Sequence, residues 1–182
     1  MIETSGEFEI IGIIDRSEKI GEKVLGYPVL GCDDDLEKMR TKSSHALLTV
    51  GQIRSPAPRK RLAGQCVEAG YEFPIIVSPH AVVSRHARLG EGTIVMHGAI
   101  VNAGAKIGHH AILNSKSLVE HDATLSGFVH ISTGATVNGG VSIGEGAFLG
   151  SGCTTREYTE VSEGAVIPAG SAYMEGRRLD PA

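Results

Sequence analysis

His121 stands between two carboxylates, Glu120 and Asp122, and this triplet is the part of the chain best suited to acid–base chemistry. An imidazole titrates near neutral pH, so it can take a proton from a hydroxyl or an amine and return it later in a reaction. A carboxylate beside the ring can hold the imidazolium and fix its tautomer. On a regular strand both flanking side chains would point away from the ring, so a chain corner is needed. We expect Asp122 to be the partner, with Glu120 as the competing choice.

A strict period of six residues surrounds this triplet. Residues 77–172 divide into sixteen consecutive hexads with no insertion. The first position of each hexad is aliphatic in all but one case, Thr155, and the fifth position is mostly small. Glycine is frequent at the fourth position, where corner conformations are easiest for it. A short, strict period indicates an array of identical units.

The period also predicts the shape of the array. An aliphatic residue and a small residue four positions later can both face inward only if the chain turns a corner in every hexad. Three corners close a triangle, so sixteen hexads give about five coils. Successive coils then stack as parallel strands about 4.8 Å apart. The sequence therefore predicts a mainly β fold, a parallel β-helix of about five coils.

Stacking of the coils selects one histidine from several. Residues three hexads apart lie one above another, and the column through His121 has Ala103 on one side and Gly139 on the other. This leaves a notch beside an outward imidazole. Gly139 has no side chain in the way, so its backbone N–H is our candidate for stabilising an oxyanion, and Gly140 would help a ligand approach closely. Histidines expected to be ordinary surface residues are His97, His109 and His110.

The first 76 residues have a different pattern. Apolar runs that could form strands alternate with polar, helix-like segments, and in order these cover residues 9–15, 33–41, 45–50, 56–70 and 71–77. Alternation of strand and helix predicts a parallel α/β unit. We therefore divide the chain into a partial α/β domain at 1–76, a β-helix domain at 77–172 and a tail at 173–182.

Several motifs resemble the hexapeptide-repeat sugar O- and N-acyltransferases, a group that includes sialic acid O-acetyltransferases and bacillosamine-type amino-sugar N-acetyltransferases. The motifs are IIGIID at Ile10–Asp15, VLGYPVLG at Val24–Gly31, LTVG at Leu48–Gly51, NSKSLVEHDATL at Asn114–Leu125 and GFVHIS at Gly127–Ser132. The resemblance implies a left-handed β-helix, although parallel crossovers are nearly always right-handed. It also implies a Rossmann-like small domain, which looks truncated because the family's first strand and Gly-rich turn are not recognisable.

The resemblance implies an activity as well. A member of this group would transfer an acetyl group from its co-substrate acetyl-CoA to the amine of a nucleotide-linked amino sugar, for surface polysaccharide synthesis. His121 would be the general base, Asp122 matches the acid that follows this histidine in the family, and transfer would be direct within a ternary complex. A sialic acid O-acetyltransferase with a hydroxyl acceptor is the close alternative, and a non-catalytic scaffold or remnant is a third.

Binding residues are implied in the same way. Acetyl-CoA would lie along a prism edge, and its contacts would be His130, Gly139, Gly140 and Ser151. The nucleotide-sugar pocket would be lined by Asp15, Arg16 and Gly51, with Asn114 as a further substrate contact. The phosphates of coenzyme A could meet Arg156, Arg177 and Arg178, although solvated surface arginines are the more ordinary interpretation.

Composition and spacing argue against other classes. A net charge of −4 does not suit a general nucleic-acid surface, and no apolar stretch is long enough to cross a membrane. Three scattered cysteines, Cys32, Cys66 and Cys153, fit a reducing cytoplasm, with Cys153 as a buried thiol. A γ-carbonic anhydrase would place three histidines on zinc in the same prism, two of them from a His-x4-His pair. No two histidines are five apart, so we expect no metal.

Self-association is expected from the faces of the prism. They carry mostly short side chains and are flat, which favours packing between copies of the chain. Trimers are usual in the resembling family, with coenzyme A bound between neighbouring prisms. We therefore expect a homotrimer.

Overall fold

The computed structural model describes residues 1–174. Seventeen two-residue strands wind as a left-handed parallel β-helix, preceded by a small α/β region, and this confirms the predicted fold class. Every strand of the β-helix comprises the sixth position of one hexad and the first position of the next. The strands stack into three parallel sheets, which form the three faces of the prism.

We call these sheets faces I, II and III. Face I consists of β4 (Ile76–Val77), β7 (Ile94–Val95), β10 (Ile112–Leu113), β13 (His130–Ile131), β16 (Phe148–Leu149) and β19 (Val166–Ile167). Face II consists of β5 (Val82–Val83), β8 (Ile100–Val101), β11 (Leu118–Val119), β14 (Thr136–Val137), β17 (Thr154–Thr155) and β20 (Ala172–Tyr173). Face III consists of β6 (Arg88–Leu89), β9 (Lys106–Ile107), β12 (Thr124–Leu125), β15 (Ser142–Ile143) and β18 (Glu160–Val161).

The interior of the prism is filled by the first and fifth positions of the hexads. Most of these side chains are fully buried and form one continuous apolar cluster. Thr155 occupies a first position inside the prism, and its hydroxyl accepts a hydrogen bond from the Asn138 N–H at 3.0 Å. The single polar residue at a first position therefore has a hydrogen-bond partner, as most buried hydroxyl groups do.

The corners of the prism lie at the third and fourth positions. From residue 92 onwards every fourth position has a positive φ angle. Nine of these residues are glycine, but five are not, namely His110, Lys116, Asp122, Phe128 and Tyr158. A non-glycine side chain in the left-handed region is uncommon and is held there by its surroundings. Four of the five, all except Lys116, reappear in the contacts described below.

The N-terminal region contains three short helices and a three-stranded sheet. The helices are α1 (Ile2–Ser5), α2 (Leu36–Met39) and α3 (Ala57–Glu68), with 3-10 turns at Ser17–Lys19 and Asp33–Asp35. The strands are β1 (Ile13–Ile14), β2 (Lys23–Val24) and β3 (Tyr27–Gly31), in the order β1-β3-β2. β1 is parallel to β3, whereas β2 and β3 form an antiparallel hairpin that the sequence analysis did not predict.

The apolar run at residues 45–50 is not a strand, contrary to the prediction. It makes one parallel bridge, between His45 and Glu72. The ladder stops there because the partner segment leaves it: the next carbonyl, that of Phe73, accepts a hydrogen bond from Gly92 of the prism at 3.1 Å. The Phe73 carbonyl therefore cannot extend the bridge, because it is hydrogen-bonded to the prism.

Phe128, an aromatic corner residue of the prism, is one of the residues on which the N-terminal region packs. Phe128 is buried in a cluster that also contains Leu36, Leu48 and Phe73. The ring of His110 stacks on Phe128 with a centroid distance of 4.9 Å. This aromatic contact fixes how α3 and the preceding loop lie against face I. No helix within residues 1–174 combines the length and the hydropathy that crossing a bilayer requires.

His110 is buried, so the prediction that it is an ordinary surface histidine is wrong: from its corner position the ring packs on Phe73 and Phe128. This burial makes stability depend on pH. Desolvation, together with the nearby positive charges of His109 and Arg59, lowers the pKa of His110 from 6.5 to about 4. The unfolded chain therefore binds more protons than the folded one between these values. The contribution of neutral His110 is complete above pH 6.5 and is lost as the pH falls towards 4.

We predict that His110→Phe flattens this dependence, because phenylalanine fills the aromatic cluster but cannot be protonated. Chemical denaturation at pH 7 and pH 4.5 should show a free energy of unfolding that falls less in the variant, by about 2 kcal/mol. A smaller dependence should remain from His130, whose pKa burial also lowers. Equal slopes in the two proteins would contradict the prediction.

Candidate active site

The side chains of His121 and Asp122 form a hydrogen-bonded pair at the edge between faces II and III. The Nδ1–H of His121 donates to Asp122 Oδ2 at 3.0 Å. Asp122 can turn back towards its neighbour because its backbone is in the left-handed region, with φ 59°. Both side chains are more than half exposed, at 57% and 72%. The Nε2 atom of His121 is therefore left to act on a substrate.

Glu120 has a different role. Its Oε2 accepts hydrogen bonds from Asn102 Nδ2 at 2.8 Å and from the backbone N–H of His121 at 3.3 Å. The carboxylate is therefore engaged with the preceding coil and with the backbone, away from the imidazole nitrogens. Of the two carboxylates, the structure brings only Asp122 to the ring of His121.

Two glycines leave the space that the pair occupies. A Cβ atom on Gly139 would lie 2.7 Å from His121 Nε2, and a Cβ atom on Gly104 would overlap Asp122 Oδ1. Gly139 lies one coil after His121, and Gly104 lies one coil before Asp122. Gly139 was predicted from the sequence and Gly104 was not, although the same column rule, applied to Asp122, finds it.

Gly139 also offers a free donor. Its backbone N–H donates no hydrogen bond to any acceptor within residues 1–174, whereas the N–H of Gly140 is used by the carbonyl of His121 at 3.0 Å. An unused N–H next to an imidazole can stabilise negative charge that develops on a reacting carbonyl oxygen. Gly140 in turn lies beneath the ring of Tyr158, one coil further on, which the sequence analysis did not mention.

A second group of polar side chains lies on and beside face I. His130 is 8% exposed, and its Nδ1–H donates to the backbone carbonyl of Gln52 at 2.9 Å. Its Nε2 faces Asn114 Nδ2 at 3.5 Å. Ser151 lies at the edge between faces I and II, where its hydroxyl is 3.0 Å from that of Ser132. Burial lowers the pKa of His130, so the ring is neutral at pH 7.

The two groups are on different edges of one prism. His121, Asp122, Gly139 and Gly140 are at the edge between faces II and III. Asn114 and Ser151 are at the edge between faces I and II, with His130 beside them on face I. Within one chain, the site residues inferred from the sequence are therefore not gathered in a single cleft.

The N-terminal region has a cleft of its own, with a volume of about 360 Å³. Asp15 and Arg16 line it together with Asp33 and Arg61, among others. Hydrogen bonds from Lys19 and from the Arg16 backbone hold the pKa of Asp15 below its ordinary value. Gly51 is not part of this lining; it precedes Gln52 in the loop that contacts His130.

The remaining predictions from the sequence concern the thiol of Cys153, a metal site and three arginines for the phosphates of coenzyme A. Cys153 is fully buried inside the prism, and burial raises the pKa of its thiol to about 11, which does not suit a nucleophile. Within residues 1–174 no three His, Cys, Asp or Glu side chains are grouped so as to hold a metal ion. Arg156 is exposed at the edge between faces II and III, whereas Arg177, Arg178 and most of the predicted tail lie outside the described residues.

Solved structures similar to this chain cover nearly all of it. The acetyltransferase domain of PglB from Neisseria gonorrhoeae is 30% identical with a TM-score of 0.88, over 97% of this chain and 84% of that one. That domain was also solved with acetyl coenzyme A. A histidine mutant of perosamine N-acetyltransferase from Caulobacter crescentus, solved with CoA and GDP-perosamine, is 31% identical with a TM-score of 0.90, over 97% of this chain and 81% of that one. No protein-family model and no curated protein matches the chain.

We predict that Gly139→Ala displaces the imidazole of His121, because the added methyl group would lie 2.7 Å from Nε2. A crystal structure of the variant should show a rotated ring and a lengthened contact between Nδ1 and Asp122. Gly64→Ala is the matched control, since a Cβ atom there meets nothing within 4 Å. An unchanged ring in Gly139→Ala would show that the glycine is not what positions His121.

Proposed function

This chain belongs to the hexapeptide-repeat acyltransferases, and we propose that it transfers the acetyl group of acetyl-CoA to the amine of a nucleotide-linked amino sugar. The observation that carries the proposal is the exposed His121–Asp122 pair directly above Gly139. The two relatives named above support the acceptor class, since one is an N-acetyltransferase solved with GDP-perosamine and the other an acetyltransferase domain solved with acetyl coenzyme A.

The chemistry follows from three groups. Nε2 of His121 takes a proton from the sugar amine as its nitrogen attacks the thioester carbon, and Asp122 stabilises the imidazolium through Nδ1. The carbonyl oxygen becomes an oxyanion, for which the free N–H of Gly139 is the donor at this edge. When the C–S bond breaks, the imidazolium returns its proton to the departing thiolate. The products are the N-acetylated sugar and free CoA, and His121 is again neutral.

The N-terminal cleft is our candidate for the nucleotide. Arg16 and Arg61 can pair with phosphate oxygens, and Asp15 and Asp33 can accept hydrogen bonds from the base or the ribose. Asp15 and Arg16 are thus the proposed nucleotide contacts of this cleft. Gly51 lies outside the lining and is kept as a proposed substrate contact only because of the resemblance to the family. The three cysteines are free thiols, which fits our proposal that the enzyme acts in the cytoplasm.

We further propose that the active enzyme is a homotrimer whose sites lie between subunits. Face II presents an apolar strip, in which Val82 is 63% exposed and Ile100 is 37% exposed, with Leu118 next in the same column. Packing three copies of face II around a threefold axis covers this strip. The same packing brings the II–III edge of one prism against the I–II edge of the next. His121 of one subunit would then meet Asn114, His130 and Ser151 of its neighbour.

We predict that His121→Ala lowers kcat/KM about 10²- to 10⁴-fold, the usual contribution of a general base. The assay is CoA release from acetyl-CoA with a panel of nucleotide-linked amino sugars and, for the O-acetyltransferase alternative, with sialic acid. His86→Ala is the matched control, because His86 is an exposed histidine on the same edge. A His121→Ala enzyme with full activity would refute the proposed base, and absence of turnover in the wild type would favour a scaffold.

A shared site predicts complementation between inactive subunits. His121→Ala and Asn114→Ala proteins should each be impaired as homotrimers, since every interface lacks one member. When the two proteins are unfolded and refolded together, mixed trimers form. At some of their interfaces an intact His121 from one subunit meets an intact Asn114 from its neighbour, so part of the activity should return. A mixture no more active than the sum of its components would argue against a site formed between neighbours, and light scattering gives the oligomeric state independently.

A further inference from the structure

Gln52 joins the N-terminal region to the prism at the position of His130. The residue is 5% exposed, and both its backbone and its side chain bind prism atoms. Its backbone carbonyl accepts the Nδ1–H of His130 at 2.9 Å. Its side-chain amide donates to the carbonyls of Phe128 at 2.6 Å and Gly146 at 3.2 Å, on successive coils. One residue therefore binds three groups of the prism.

The orientation of this amide is fixed by Arg59. Nη1 of Arg59 donates to Gln52 Oε1 at 3.4 Å, so the oxygen faces the guanidinium and the NH₂ group faces the prism carbonyls. Arg59 is fully buried, lies over the ring of Phe128 at 5.8 Å and has no carboxylate partner within residues 1–174. Its Nε and Nη2 atoms are without hydrogen-bond partners in the same part of the chain.

The contact with Gln52 decides which nitrogen of His130 carries the proton. A carbonyl oxygen can only accept, so Nδ1 is protonated and the neutral ring has a lone pair on Nε2. That lone pair faces Asn114 Nδ2 at 3.5 Å. Asn114 is oriented from the other side as well, because its Oδ1 accepts the backbone N–H of Ser115 at 2.7 Å. The amide of Asn114 therefore presents its NH₂ group, and His130 determines where that group is held.

We propose that Gln52 is a positioning residue for acetyl transfer, which acts by fixing the tautomer of His130 and, through it, the amide of Asn114. The inference rests on the proposed function, because it assigns His130 and Asn114 to the transfer site. It adds that the loop after Gly51, in the N-terminal region, controls side chains of the prism. Gln52 itself does not have to touch either substrate.

The first test needs no activity. Nitrogen-15 NMR of the imidazoles should show His130 in the Nδ1–H tautomer in the wild-type protein. In Gln52→Met, which keeps the length of the side chain but makes no hydrogen bond to the prism carbonyls, the loop is no longer held and the signals of both tautomers should appear. A wild-type ring protonated on Nε2, or a Gln52→Met ring unchanged from the wild type, would overturn the proposal whether or not the protein is an acetyltransferase.

The second test is a double-mutant cycle on kcat. Gln52→Met should lower kcat about 10- to 100-fold, the loss expected when a reacting group is slightly misplaced. In a His130→Phe background the same substitution should cause little further loss, because the residue through which it acts is gone. Losses that multiply in the double variant, or a Gln52→Met enzyme with full activity, would overturn the proposal.

A matched control separates positioning from loosened packing. Lys60→Met breaks the Lys60–Glu145 ion pair, which lies at the same junction but does not touch His130. It should leave both the His130 tautomer and kcat unchanged. If Lys60→Met lowers kcat as far as Gln52→Met does, the effect comes from loosening of the junction and the assignment to Gln52 is wrong. If wild-type turnover is absent but the NMR result is as expected, the proposed function fails while the hydrogen-bond relay stands.

Discussion

The narrow interior of the prism is the constraint on which the rest of the structure depends. A coil of three hexads leaves room for one aliphatic and one small side chain per hexad, and residues such as Leu113 and Ala111 fill it completely. Charged and large polar side chains are therefore forced outward, to the faces and corners. Because coils stack in register, each outward residue has fixed neighbours one coil away. The His121–Asp122 pair has room at this edge because its neighbours one coil away, Gly104 and Gly139, have no side chains.

This regularity explains why much of the fold and part of the site could be read from the sequence. Gly139 could be placed beside His121 by counting residues along the hexads, because the hydrogen bonds between coils keep one register from β4 to β20. The partner of His121 was harder to predict, since Asp122 meets the ring only through a left-handed backbone conformation that is uncommon for residues other than glycine. The assignment depended on treating the third and fourth positions as a corner.

The N-terminal region was predicted less well, and for a physical reason. Its elements have no repeat, and their backbone groups can pair with several neighbours. The run at residues 45–50 is apolar enough for a strand, yet its partner segment bonds to the prism instead. Gln52 and Arg59 carried no sequence signal at all, because a glutamine in a loop and an arginine in the first turn of a helix are ordinary on a surface. Their burial depends on Phe128, a corner residue far away in the chain.

Arg59 is a buried charge at the junction between the N-terminal region and the prism. A guanidinium removed from solvent is unfavourable when, as among residues 1–174, it has a single long hydrogen bond and no carboxylate partner, and this burial lowers its pKa to about 10. Contact with the ring of Phe128 offsets part of the cost. A methionine would fill the same space without the desolvation penalty of a buried charge, but it could not donate a hydrogen bond to the amide oxygen of Gln52. A buried polar group where an apolar one would fit is expected chiefly at functional sites. In this chain Arg59 is linked to His130 through Gln52, which is hydrogen-bonded to both. This link joins the geometry of the N-terminal region to that of the prism.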